Sequence, residues 1–182
     1  MPGGLTFANA GEWEVWLAAY HNQPGGVWLK VRKKSSAKRS ITLSEAADVA
    51  LCYGWIDSVR RSFDDDYFSQ RYSRRQPKGS WSKVNVERVE ALIAAGRMQP
   101  PGIEEVNAAK ADGRWEAAYE SQKTAAVPPD LQAALKGNKR ARESFDQLGK
   151  TERYLVVLPL LKARTPEIRA ARLQRAIDRM TS

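Results

Sequence analysis

Trp13, Trp16, Leu17 and Tyr20 recur at the spacing i, i+3, i+4, i+7, which is one apolar face of a helix. Asn9 and Glu12 have the spacing of a capping box at its start. The polar run from Asn22 to Gly26 breaks that period, and the next stretch alternates instead. Val27, Leu29 and Val31 fall on one side and Trp28, Lys30 and Arg32 on the other, which predicts a half-buried strand over 27–33. Thr42 and Glu45 repeat the capping-box spacing ahead of a helix predicted over 46–53, with Gly54 ending it in the left-handed conformation glycine tolerates. Trp55-Ile56-Asp57 leads into extended runs over 59–63 and 67–74, which flank the turn Asp64-Asp65-Asp66 and predict a hairpin. Tyr67, Ser69, Arg71 and Ser73 share one face of the second run, and Phe68, Gln70, Tyr72 and Arg74 the other. Neither face is purely apolar, so one of them is suited to line a polar cleft.

Ser82 is placed to cap a helix with Val86, Val89, Leu92 and Ile93 as its buried stripe and Gly96 as its end. Pro100-Pro101-Gly102 reads as a break before a short helix carrying Ile103, Val106 and Ala109 and closed at Gly113. Residues 121–129, small and with paired prolines, read as a linker. Beyond them the pattern is helical. Asp130 reads as the cap of a helix bearing Leu131, Ala134 and Leu135, and Asn138 as the cap of one bearing Ala141, Phe145 and Leu148. An apolar stretch over 154–161 contains Pro159, which kinks or ends it. Thr165-Pro166-Glu167 supplies a cap, a first-turn proline and a first-turn acid. The last helix then places Ala170, Leu173, Ile177 and Met180 on one face and Arg169, Arg172, Arg175 and Arg179 near the opposite one. The predicted fold class is α+β: a small antiparallel sheet of about three strands flanked by helices, with an all-helical C-terminal part. The corresponding parts are 1–120, a linker over 121–129, and 130–182.

Length and composition narrow the class. The 182 residues suffice for one domain or two small ones, and 42% apolar residues is ordinary for a globular chain. No apolar run is long enough for a membrane span. The start, Met1-Pro2-Gly3-Gly4-Leu5, lacks the basic and apolar blocks of a signal peptide, so a cytoplasmic location is expected. A single cysteine and a single histidine argue against an internal disulfide and against a zinc site. Cys52 with His21 is the one nucleophile–base pair available. Cys52 lies in an apolar helical pattern, which favours an inert buried thiol. The net charge of +9 favours polyanionic partners.

The densest chemistry lies between Ala50 and Trp115. Arg71, Arg74 and Arg75 stand near Trp81 and Lys83, and Trp55, Asp57, Asn85 and Arg97 complete the candidate ligand-binding set. Guanidinium groups grip phosphate or carboxylate through paired hydrogen bonds, and indoles stack on bases or sugars. The competing reading is a structural network of cation–π contacts and salt bridges with Asp57, residues 64–66 and Asp112. Arg71, inside the strand, is expected to aim at Asp57. Arg74 and Arg75, at its end, are expected to meet Trp81 and a ligand. No glycine-rich phosphate loop, nucleophile elbow or zinc motif is present, so no cofactor and no metal is expected. Three functions stay open: binding a small anionic or nucleotide-like ligand; binding nucleic acid through the loop 33–39 and the C-terminal arginines; and an enzyme using Asp57 or Asp112 as acid or base.

Several stretches carry a family resemblance. They are Ala50-Leu51-Cys52-Tyr53-Gly54-Trp55-Ile56-Asp57, the arginine-rich segment to Pro77, Trp81-Ser82-Lys83-Val84-Asn85, Gly96-Arg97-Met98, Ala108 to Trp115, and Thr165-Pro166-Glu167-Ile168-Arg169. In these the chain resembles the YdeI/OmpD-associated, or bacteriocin-protection, family, with Tyr53 where phenylalanine is usual and Ile168 where threonine is common. The resemblance implies a link to stress and to resistance against bacteriocins and cationic antimicrobial peptides, and it brings no catalytic residues. A +9 protein repels a cationic peptide, so protection is expected to be indirect and cytoplasmic.

Overall fold

The computed structural model describes residues 4–182, which form two compact units. The first unit holds residues 4–79 and Asn85–Glu116. It begins with β1 (Leu5–Thr6), α1 (Ala10–Tyr20), β2 (Gly26–Arg32) and α2 (Leu43–Cys52). The hairpin β3 (Trp55–Ser62) and β4 (Tyr67–Arg74) follows, then α3 (Lys83–Ala94), whose first two residues fall in the second unit, and α4 (Pro100–Ala111). The predicted caps at Asn9 and Thr42 form. The Asn9 side chain accepts from the Glu12 amide, and Thr42 and Glu45 cap each other reciprocally.

The sheet has four strands in the order β1-β2-β4-β3, one more than the sequence predicts. The missed strand, β1, has only two exposed residues and pairs in parallel with β2, too short to show a period. The other pairings are antiparallel. Leu29, Val31, Gln70, Tyr72 and Trp55 are buried on one face. Trp13 of α1 is fully buried there, with ring centroids 5.8 Å from Tyr72 and 6.3 Å from Trp55. Its indole N–H donates to the Ala46 carbonyl of α2, so the ring buries no orphaned donor.

β3 carries a bulge. Asp57 opposes Tyr72 and Arg60 opposes Gln70, three steps on β3 against two on β4. The extra residue reverses alternation, putting Arg60 on the face of Gln70 and Arg61 on the opposite one. Buried Gln70 accepts from the Arg60 Nε at 2.9 Å and donates to the Val59 carbonyl at 3.2 Å, which pins the bulge.

Pro100, Pro101 and Gly102, expected as a break, are the first turn of α4, where proline's missing N–H costs nothing. Gly102 lets α4 approach α2: a Cβ there would lie 2.2 Å from the Cys52 carbonyl oxygen. Gly54 closes α2 with φ +72°, and its carbonyl accepts from the Arg75 amide.

The second unit holds Ser80–Val84 and Ala117–Ser182. Its helices are α5 (Pro129–Gly137), α6 (Lys139–Gln147), α7 (Lys150–Leu161) and α8 (Pro166–Thr181). Residues 80–84 join it through a bridge between Ser82 and Tyr119. Leu131, Leu135, Ala141, Phe145, Val157, Leu160 and Met180 form its core, with Leu173, Ala176 and Ile177 partly buried against them. α7 runs through Pro159 to Leu161. Pro128, not Asp130, occupies the cap position of α5, and Asp130 lies in the first turn. Ala170 is exposed, contrary to its expected inward place. The α8 arginines are not uniformly exposed either. Arg169 is half-buried and donates to both oxygens of Asp130, and Arg172 donates to the Pro159 carbonyl; Arg175 and Arg179 are exposed.

Gly102→Ala is expected to lower stability by about 2 kcal/mol in a denaturant melt, because backbone cannot yield as a flexible side chain would. An unchanged midpoint would contradict the close approach. The Arg169 guanidinium holds the Asp130 carboxyl below the usual carboxylate range. A depressed folded pKa stabilises above the unfolded value of about 3.9 and loses that contribution as pH falls through the folded value. Asp130→Asn is therefore expected to cost about 1 kcal/mol at pH 7, a half-exposed pair being partly screened, and the difference should vanish in strong acid. Melts at both pH values check this.

Candidate functional site

β4 sorts the candidate residues. Asp57 opposes Tyr72 and Arg71 opposes Trp28, so Asp57 and Arg71 point to opposite faces of the sheet. The expected Asp57–Arg71 pair is thus overturned: strand alternation fixes the two sides, and the bulge falls beyond Asp57. Asp57 is exposed, without the burial that a role as general base requires. Trp55 is fully buried, and its indole N–H donates to the His21 carbonyl at 2.9 Å. Arg75, expected at a loose strand end, is buried, and its amide donates to the Gly54 carbonyl. Asn85 is half-buried in α3, and Arg97 is exposed beyond that helix. Trp81 and Lys83 belong to the second unit. Trp81 is buried there, and Lys83 is ion-paired with Glu120, holding that carboxyl below its usual range.

Three of the candidates do converge. Arg71, Arg74 and Arg75 line one cavity of about 360 Å³ together with Gln23, Ser73, Gln76 and Glu105. Gly25, with φ +84°, turns the chain into β2 beside it. Gly26 leaves room for the Arg71 guanidinium: a Cβ there would lie 3.0 Å from the Arg71 Nη2 and 2.6 Å from the Tyr72 carbonyl oxygen. A second cavity of about 480 Å³ shares Arg74 and Glu105 and is lined by His21, Tyr53, Gln99 and Glu104. The His21 and Tyr53 rings stand 6.0 Å apart on its wall. Sequence reasoning finds the arginines and misses the polar partners. The Gly25-Gly26 pair is the one signal of a close approach at this place.

The groups considered for chemistry are placed differently. Cys52 is buried, and burial pushes its thiol up to about 11, away from a reactive thiolate. Asp112 accepts twice from the Arg114 Nε, at 2.7 and 2.8 Å, while Arg114 also donates to the Gly79 carbonyl. That carboxylate therefore orients a buried guanidinium. No group of three metal-ligating side chains occurs among the described residues, and no described helix is long and apolar enough to cross a membrane. The loop 33–39 is anchored, with Ser36 donating to Asp66. In the second unit, Lys162, Arg172, Arg175 and Arg179 rim a groove of about 690 Å³ whose walls include Leu155, Val156 and Met180.

These features define a basic α+β protein with an arginine-lined cavity on its sheet unit. Residues 5–105, more than half of the chain, match the family described as a domain of unknown function, DUF8412, and the chain belongs to that family. Residues 124–182 match the family described as bacteriocin-protection, YdeI or OmpD-associated, the family named from the sequence; of the stretches that carry the resemblance, Thr165 to Arg169 lies within this match and the others lie before it. No curated protein and no solved structure matches the chain.

The native thiol is expected to resist a disulfide reagent at pH 8 and to react fully once urea unfolds the chain. Rapid modification of the folded protein would contradict the placement of Cys52.

Proposed function

We propose that the protein is a non-enzymatic cytoplasmic binding protein for small anionic, nucleotide-like ligands, with Arg71, Arg74 and Arg75 as the anion-binding group. The observation that carries this reading is the convergence of the three arginines on one cavity. Three guanidiniums against the single carboxylate of Glu105 leave the cavity cationic, and Gln23, Ser73 and Gln76 add hydrogen-bonding groups suited to phosphate oxygens. The adjoining cavity offers the imidazole of His21 and the ring of Tyr53 to a planar group. The lone buried cysteine suits a reducing compartment. Protection against bacteriocins or cationic peptides, and any part in a stress response, would then be indirect. A chain of net charge +9 disfavours capture of a cation, and the ligand state would carry the signal.

Titration calorimetry with inorganic pyrophosphate tests the cavity. Saturable binding is expected, weakened about tenfold, or about 1.4 kcal/mol, by Arg74→Ala. Arg74 is exposed, so the same change should alter stability by about 0.5 kcal/mol or less. Absence of saturable binding, or an unchanged affinity in Arg74→Ala, would overturn the reading. Fractionation that finds the native chain outside the cytoplasm would overturn its location.

A further inference from the structure

The face of the sheet opposite Tyr72 has a composition that stability does not require. Register places Trp28 beside Arg71, and Lys30 and Arg61 on either side of Ser69. Phe63, whose amide bonds the Tyr67 carbonyl, continues the same face past the end of β3. Successive rows along this face are about 6.8 Å apart, two residues of an extended strand. No carboxylate occupies a ladder position on it. In the turn at 64–66, Asp64 caps the amides of Asp66 and Tyr67, and Asp66 accepts from Ser36; Glu105 lines the cavity with Arg71.

The face is also open. Trp28, Lys30, Ser69 and Arg71 are half-exposed, and Arg61 and Phe63 are exposed. The Arg61 guanidinium lies 5.0 Å from the Trp28 ring centroid, and the Lys30 ammonium 4.2 Å from that of Phe63. Arg61 reaches this face only because of the bulge; unbroken alternation from Asp57 would have turned it toward the core. A protein that needed only solubility would scatter charge here, without two rings each paired with a cation.

We propose that this face binds single-stranded nucleic acid, with one phosphate held in the arginine cavity and bases of the same strand stacked on Trp28 and Phe63. This deepens, and rests on, the reading of the cavity as an anion site. Arg71 connects the two, lining the cavity while standing beside Trp28 in the ladder. The chemistry selects the partner. An unpaired base presents a π face to a ring or to a guanidinium plane, and the phosphate beside it meets Arg61, Lys30 and Arg71. A duplex hides those π faces, and an acidic peptide has none.

The test is fluorescence anisotropy of the full chain with a labelled oligothymidylate, the same strand annealed to its complement, and polyglutamate, alongside pyrophosphate calorimetry. The single strand should bind more tightly than the duplex or polyglutamate. Its log K should fall with log salt with a slope of about −2, as expected for three phosphate contacts on a single strand. Trp28→Ala should weaken oligonucleotide binding about tenfold and leave pyrophosphate affinity unchanged, while Trp28→Phe should retain most of it. If Trp28→Ala fails to fold, Phe63→Ala carries the same comparison. Equal affinity for duplex or polyglutamate, or indifference to loss of the ring, overturns this inference. Pyrophosphate binding without oligonucleotide binding overturns it while the cavity reading stands, and failure of both ligands overturns both.

Discussion

The packing of Trp13 over Tyr72 and Trp55 is the contact on which the first unit depends. It decides which face of the sheet is the inside. Once Tyr72 is held under a fully buried indole, alternation along β4 leaves Arg71 and Ser73 no direction but outward. Burying rings of this size contributes on the order of 2–3 kcal/mol each. A slip of one residue would exchange Tyr72 for arginine in the core, so the register is strongly specified.

The bulge in β3 then modifies that sorting where the surface is made. It falls beyond Asp57, which plain alternation keeps on the side of Tyr72; it gives Arg60 to Gln70 and sends Arg61 out to Trp28. Gln70 donates to the Val59 carbonyl, so that acceptor at the bulge has a partner. Gly26 completes the arrangement at the other end of the sheet, because any Cβ there would press on the Arg71 guanidinium. The arginine cavity and the open face thus arise from one register and two local exceptions to it.

Much of this is legible in the residue pattern alone. The caps at Asn9 and Thr42 form as spaced, and β4 runs over the residues that alternation marks. What escapes lies where local pattern is silent. β1 is too short to carry a period, and Pro100-Pro101 looks the same whether it breaks a helix or begins one. The site is half legible. Arginine spacing marks the cations, but the partner of Arg71 depends on the cross-strand register, which a single sequence does not contain. Trp55 and Trp81 read as ligand-facing because residue type alone does not reveal burial. The family matches divide the chain in a way that fits its two kinds of architecture, with sheet and helices over residues 5–105 and helices over most of 124–182.

The central claim is that the β3–β4 register, with its bulge, assigns Asp57 and Arg71 to opposite faces and Arg61 and Trp28 to the same one. A pair of double-mutant cycles on folding stability tests it most directly, truncating each residue to alanine alone and together. The account predicts additivity within about 0.3 kcal/mol for Asp57 with Arg71, and a coupling of about 0.5–1 kcal/mol for Arg61 with Trp28. A strong coupling between Asp57 and Arg71, with none between Arg61 and Trp28, would contradict it.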